Sequence, residues 1–326
     1  MNSSLLVGLV GANRHAAAVA DHGVPLGGAR VLAIAASPDG RDRMAAAALG
    51  RRLGAAFAPR WQAVAQDPAV AVVLIATDDP QREAACEAAL SAGKVVVCPA
   101  PAAESAAAVD RLSAAQERGR GTLLATGEIR QTVAGGHAVR LASAGELGEI
   151  HSVYAAVRLP ASDRAAGRTS VLDTAGWDAF DAVCAAVPHP LRRVRATTAC
   201  AFGHAADDTA VVIARFGDAI ATIELSRCLP GSLPTVAQGE VEIEIIGSRD
   251  AIRVEPYRTA VRQYGERKSA RLAWADEPAV GMLDVALLIA AGKVEPPDDL
   301  ANARRMVALS DAVRASAERQ DAVEVS

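Results

Sequence analysis

Aromatic residues are scarce in this sequence: three Trp, three Tyr and four Phe among 326 residues, or 3%. Its cores must be packed from Ala, Val, Leu and Ile, and a hydrophobic content of 51% excludes a disordered chain. An excess of charge is also lacking. The formal net charge is −4 and the basic residues are scattered without a Lys/Arg run, which excludes nucleic acid or a membrane surface as an electrostatic partner. Long apolar runs are missing: "LLVGLVGA" near the N-terminus falls far short of the ~20 residues that a membrane-spanning helix needs. Cysteine is confined to Cys86, Cys98, Cys184, Cys200 and Cys228, with no C-x-x-C pair and no metal-ligand spacing. These read as small reduced hydrophobes in a cytoplasmic protein, and no metal site is expected.

The length suffices for two domains, each with a sizeable core. In the first part, apolar runs at 5–10, 30–37, 70–77 and 95–98 alternate with Ala-rich stretches of helical character, and "GTLLATG" closes the series. Continuous β-branched runs suit a parallel sheet covered on both faces, so a doubly wound α/β domain is predicted. The character then changes. A helix over 135–144 precedes "HSVYAAVR", "RRVRATTA", "TAVVIARF", "AIATIELSR" and "EVEIEIIG". In the last of these Glu240, Glu242 and Glu244 alternate with Val241, Ile243 and Ile245, which puts one face in water and one on a core. This predicts an α+β domain with a mostly antiparallel, open-faced sheet, ending in two helices. The domains are expected at 1–122 and 123–326.

"VGLVGANRHA" reads as strand, tight turn and helix. The dinucleotide fingerprint G-x-G-x-x-G/A falls on Gly11, Asn13 and Ala16. The first position allows a sharp turn, the second a close approach of backbone to a diphosphate, and the third close packing of helix on strand. Asn at the second position is a departure, tolerated because Asn accepts a left-handed backbone. The candidate cofactor contacts here are Gly8, Gly11, Ala12, Asn13, Arg14 and His15. The alternative is a structural turn without a ligand. At the end of the second run, Ser37 stands where an NAD site usually carries an acid for the ribose, with Asp39 just beyond. Arg41 and Arg43 could meet a 2′-phosphate, which tilts the reading from NAD towards NADP; both could equally form a solvated helix face. Thr77, Asp78, Pro99 and Ala100, after the third and fourth runs, complete the cofactor candidates. Asp78 and Asp79 also suit the N-cap of the helix that follows them.

Over nearly its whole length the sequence resembles the Gfo/Idh/MocA family of oxidoreductases. The resemblance is carried by "GLVGAN", "VAVVLIAT", "AALSAGKVVVC", "GELGEIHSV", "VEIEIIGSRDAIRV" and "AVRASAERQDAVEV", and by Arg130. It implies an N-terminal Rossmann domain that binds NAD or NADP. It also implies a second domain whose open sheet forms the substrate wall and often an oligomer interface. A small-molecule substrate and a homo-oligomer, dimer or tetramer, are thereby expected. The chemistry matches less well. The resemblance places Glu-Lys-Pro after the fourth run, its lysine bonding the substrate oxygen and the nicotinamide ribose; this sequence has Pro99, Ala100 and Pro101. In the surrounding "VVVCPAPAAES" only Cys98 and Glu104 can carry a proton. It also places Asp, and four residues later a proton-carrying His, on a helix of the second domain; Asp173 and Trp177 stand there. Its Thr-Pro-Asn becomes Thr77-Asp78-Asp79. No histidine fills the gap by position: His15, His22, His137, His151, His189 and His204 lie in loops, at helix ends or beside "GELGEI". The remaining catalytic candidates are Asp173, Asp178, Arg130 and Tyr154, with Asp78 and Asp79 weighed between catalysis and capping. The expected function is an NAD(P)-dependent oxidoreductase with a non-standard acid, acting on a sugar-like, carbonyl or imine substrate. The alternative is a catalytically silent NAD(P)- or sugar-binding regulatory or partner protein.

Overall fold

The structure, a computed structural model, describes residues 5–22, 24, 29–161, 169–201, 206–229, 239–256, 260–265, 269–273 and 281–325. The chain divides into two compact units: Met1–Thr126 with Val280–Ala303, and Gly127–Ala279 with Arg304–Ser326.

The first unit runs β1 (Leu6–Val10), α1 (Arg14–His22), β2 (Arg30–Ala35), α2 (Arg43–Leu53), β3 (Ala56–Ala58), α3 (Trp61–Ala65), β4 (Val72–Ile75), α4 (Arg82–Ser91), β5 (Val95–Val97), α5 (Ala106–Gly119) and β6 (Thr122–Leu124). Its sheet is parallel throughout, in the order β3-β2-β1-β4-β5-β6. The order reverses between β1 and β4, and ligands of such sheets bind in the crevice at that point, beyond the carboxyl ends of the strands. All four residues of β4 and all three of β5 are buried, as the unbroken apolar runs require. Two short elements escape periodicity. β3 has three residues and α3 has five, too few to express a repeat of two or 3.6.

After α6 (Glu128–Gln131), α7 (Val133–Ser143), β7 (Ile150–Pro160), α8 (Val171–Ala186), β8 (Leu191–Ala199), β9 (Thr209–Phe216), β10 (Ala219–Leu229), β11 (Glu240–Gly247), β12 (Asp250–Val254), β13 (Ala260–Gly265) and β14 (Ser269–Ala273), the chain forms α9 (Met282–Ala290). α9 belongs to the first unit. Its Met282, Leu283, Ala286 and Leu287 pack in one cluster with Val7, Leu9, Val72, Leu74, Val95 and Val97. Burial of Met282, Leu283 and Leu287 contributes about 1.5–3 kcal/mol each, so the short helix is held by its apolar face. α10 (Asp299–Arg319) and β15 (Val323–Glu324) end the chain.

The second unit carries a nine-stranded sheet ordered β14-β13-β12-β11-β7-β10-β9-β8-β15. Every pair is antiparallel except the central one, β7 with β10. One face packs on α8: the Cβ that Gly176 lacks would meet Phe180 and Leu225. The other face is open. On β11 the acids Glu240, Glu242 and Glu244 lie on it, opposite the buried Val241, Ile243 and Ile245.

All five cysteines are free. Cys86, Cys98 and Cys184 are buried, but Cys200 is exposed, so burial does not account for every thiol. His204 lies outside the described residues.

Candidate functional site

β1 ends in a turn that only glycine can make. Gly11 has φ +92°, and a Cβ on it would lie 2.3 Å from the Ala76 carbonyl oxygen. The close approach is fixed by Asn13 N, which donates to the same oxygen at 3.1 Å. Asn13 then caps α1: its Oδ1 accepts from His15 N at 3.0 Å, and its Nδ2 makes a long 3.4 Å contact with Asp78. The amide side chain thus occupies a donor that a diphosphate would use. Burial and the neighbouring Arg14 lower the His15 imidazole to about 4, which leaves it neutral at pH 7. Gly8 lies inside β1 rather than on the turn, and a Cβ there would stand 2.5 Å from a Val64 methyl, so its role is packing. Ala16, at the third fingerprint position, is fully buried in the core cluster.

Carboxylates tie this turn to the ends of β2 and β4. Asp42 Oδ2 accepts from Ala12 N at 2.7 Å, while its Oδ1 accepts from Ser37 N at 2.7 Å and Ser37 Oγ at 2.8 Å. Asp39 accepts from Ser37 Oγ at 2.7 Å, and its own amide donates to Asp79 at 2.6 Å. Asp79 is buried and also accepts from Gln81 N at 2.8 Å, while its amide donates to Thr77 Oγ1 at 3.1 Å. Asp79 therefore stabilises the start of α4, as its position suggested. Backbone and side-chain hydrogen bonds from Arg41 and Ser37 hold the Asp39 carboxyl at about 2. The sequence reading missed Asp42, and its only signal was an acid a few residues past Ser37 in "SPDGRDR".

The loop after β5 displays no free reagent. Ala100 N donates to Thr126 O at 3.2 Å, and Pro99 and Ala100 add no polar side chain. Glu104 is paired with Arg82, whose Nε also donates to Pro101 O at 2.8 Å. Cys98 is buried against Cys86, whose thiol is pushed up by its hydrogen bond to Cys98 and by burial.

In the second unit, Arg130 is clamped. Its Nε and Nη2 donate to the two oxygens of Asp181 at 2.6 and 2.7 Å, and Gly127 N donates to the same carboxylate at 2.8 Å. Asp178, one turn earlier on α8, accepts from Glu128 N at 2.7 Å and caps α6. These residues form one group at the join of α6 and α8. Asp173 is apart from them, paired with Arg314 of α10. Trp177 is 5% exposed and meets Phe180 edge-on at 6.3 Å, so it serves as core. Tyr154 lies on the open face of the sheet, away from α8. Its hydroxyl donates to Glu224 at 2.8 Å and accepts from Arg158 at 3.3 Å. Burial and the Glu224 bond push the phenol up. The structure therefore gathers Arg130 with Asp178 but leaves Tyr154 on the opposite side of the sheet. Among the described residues, no group of three His, Cys, Asp or Glu is placed to hold a metal ion.

Comparison with known proteins agrees with this architecture in both units. Residues 5–126 match the model of the oxidoreductase family with an NAD-binding Rossmann fold, and residues 137–253 match that of the GFO/IDH/MocA C-terminal domain. No curated protein matches the sequence. Among solved structures, GenD2 from gentamicin A biosynthesis, in complex with NAD, is 21% identical. Its TM-score is 0.81, with 100% of this chain and 97% of that one covered. An oxidoreductase domain protein from Kribbella flavida is 20% identical, with a TM-score of 0.80 over 99% and 100% of the two chains. Levoglucosan dehydrogenase, in complex with NADH and L-sorbose, is 20% identical, with a TM-score of 0.76 over 99% of each.

Proposed function

Because the chain belongs to the Gfo/Idh/MocA family of NAD-binding oxidoreductases, we propose that it is a nicotinamide-dinucleotide-dependent oxidoreductase that moves protons without the family's lysine and histidine. The observation that carries the binding half is the turn after β1, where Gly11 at φ +92° brings the chain against Ala76 O at the point where the strand order reverses. Two features fit the cofactor, the tight turn at Gly11 and the Asp42 carboxylate beside Ser37, while the Asn13 side chain caps the His15 amide at the start of α1. When bound, the dinucleotide supplies hydride exchange at the nicotinamide ring.

Ala100 offers a methyl group where the resemblance puts the lysine, so a substrate oxygen gains no donor from it. Losing one general acid or base costs about 10²–10⁴ in rate, and two such losses disfavour a simple secondary alcohol. An imine or an activated alkene suits the site better, since hydride transfer to it depends chiefly on alignment. Of the two candidate aspartates, Asp173 is held as an ion pair by Arg314, so Asp178 is the proposed proton donor, and Arg130 is a positioning residue held by Asp181. A second reading, a silent binder, is favoured by one observation: Glu104, Asp173 and Tyr154 are each already bonded to a partner side chain.

Titration with NADH and NADPH, followed by nicotinamide fluorescence and then by assays on polyols, carbonyls and imines, separates the two. Binding with imine or carbonyl turnover is expected. Binding without any turnover would favour the silent binder, and binding of neither cofactor would remove the oxidoreductase reading. The reading also includes a cytoplasmic location and a second copy of the chain as partner. Among the described residues no helix is long and apolar enough to cross a membrane. Four of the exposed large apolar residues, Val211, Ile213, Ile220 and Ile246, share the open sheet face.

A further inference from the structure

Asp42 stands at the N-cap of α2 but makes no side-chain bond to that helix. An aspartate there ordinarily accepts from the helix's own first amides. This one reaches back instead, with one oxygen on Ala12 N and the other on Ser37 N and Oγ, all within 2.7–2.8 Å. A carboxylate is thereby fixed where the β1–α1 turn meets the end of β2, on neighbouring strands of the sheet. In a doubly wound dinucleotide domain the diphosphate follows that turn and the adenosine ribose lies towards the end of the second strand.

We propose that Asp42 reads the adenosine ribose, accepting the 2′-hydroxyl of NAD and repelling the 2′-phosphate of NADP. This rests on the reading that the first unit binds a nicotinamide dinucleotide. It reverses the tilt towards NADP, which depended on Arg41 and Arg43. The Arg41 guanidinium is taken by Asp39, and that of Arg43 lies 5.3 Å from the Phe57 ring centre. Ser37 is bonded to both Asp39 and Asp42, so a phosphate placed there would face two carboxylates at close range. A hydroxyl can donate to such a group, whereas a phosphate near its full charge cannot. The discrimination is thus partly a rejection of the wrong cofactor.

Fluorescence titration of the full chain with NADH and NADPH tests this. The wild-type protein should bind NADH at least about tenfold more tightly, and Asp42→Asn should bring the two within about threefold. Asp39→Asn, which releases Arg41 and leaves Asp42 in place, should shift the ratio the same way by less. NADPH bound as tightly as NADH by the wild-type chain, or a ratio unchanged in folded Asp42→Asn, would overturn the assignment and leave the oxidoreductase reading standing. Failure of the wild-type chain to bind either would overturn that reading and this one with it.

Discussion

Asp181 has no exposed surface, and its two oxygens hold a guanidinium and a backbone amide. Removing it would take from Arg130, itself only 15% exposed, the carboxylate that both its Nε and its Nη2 meet. Breaking such a buried pair typically costs about 3–5 kcal/mol, because the charge that remains is largely desolvated. Asp181→Ala should lower the unfolding free energy by that order in a denaturant titration, and Arg130→Met with Asp181→Leu should recover most of it. A cost under about 1 kcal/mol would show the pair to be screened like a surface ion pair. Arg130 was visible in the sequence as a candidate, but its partner was not. Which carboxylate meets it depends on α8 crossing α6, and Asp173, Asp178 and Asp181 are equal in chemistry until that crossing is known.

At the level of elements, the β1–α1 connection is the most constrained. Gly11→Ala would place a methyl 2.3 Å from Ala76 O and force an L-residue to φ +92°. Positive-φ strain alone costs about 1–3 kcal/mol, and the clash adds to it. The variant should therefore melt several degrees lower and bind NADH more weakly, as thermal unfolding and fluorescence titration would show. An unchanged melting temperature would mean that the turn shifts freely. The long parallel runs and the Glu240–Glu244 alternation announced their elements, because burial on both faces or on one face writes a period into the chain. β3 and α3 did not, being shorter than the period that would reveal them.

At the level of the whole molecule, the open face of the nine-stranded sheet is the feature that monomeric packing leaves unexplained. Ile213 and Ile220 are each 50% exposed on adjacent strands, with Val211 beside them. Apolar patches of this kind mark interaction surfaces, and a self-complementary one closes with two-fold symmetry. Sedimentation should show a dimer or larger, and Ile213→Asp should shift it towards monomer without unfolding it. A wild-type chain that sediments as a monomer at micromolar concentration would refute the second-copy reading.

The sequence by itself determined the two-domain class, the parallel and open-faced sheets, and the turn at Gly11. These follow from local periodicity and from a conformation only glycine tolerates. It also disclosed which reactive side chains are missing, since an alanine cannot donate a proton in any fold. Tertiary structure alone decided how the surviving charges are used: Asp42 on the nucleotide turn, Arg130 on Asp181, Glu104 on Arg82, and Tyr154 on the far side of the sheet. The physical reason is that pairing is set by distances of a few ångströms between residues far apart in the chain.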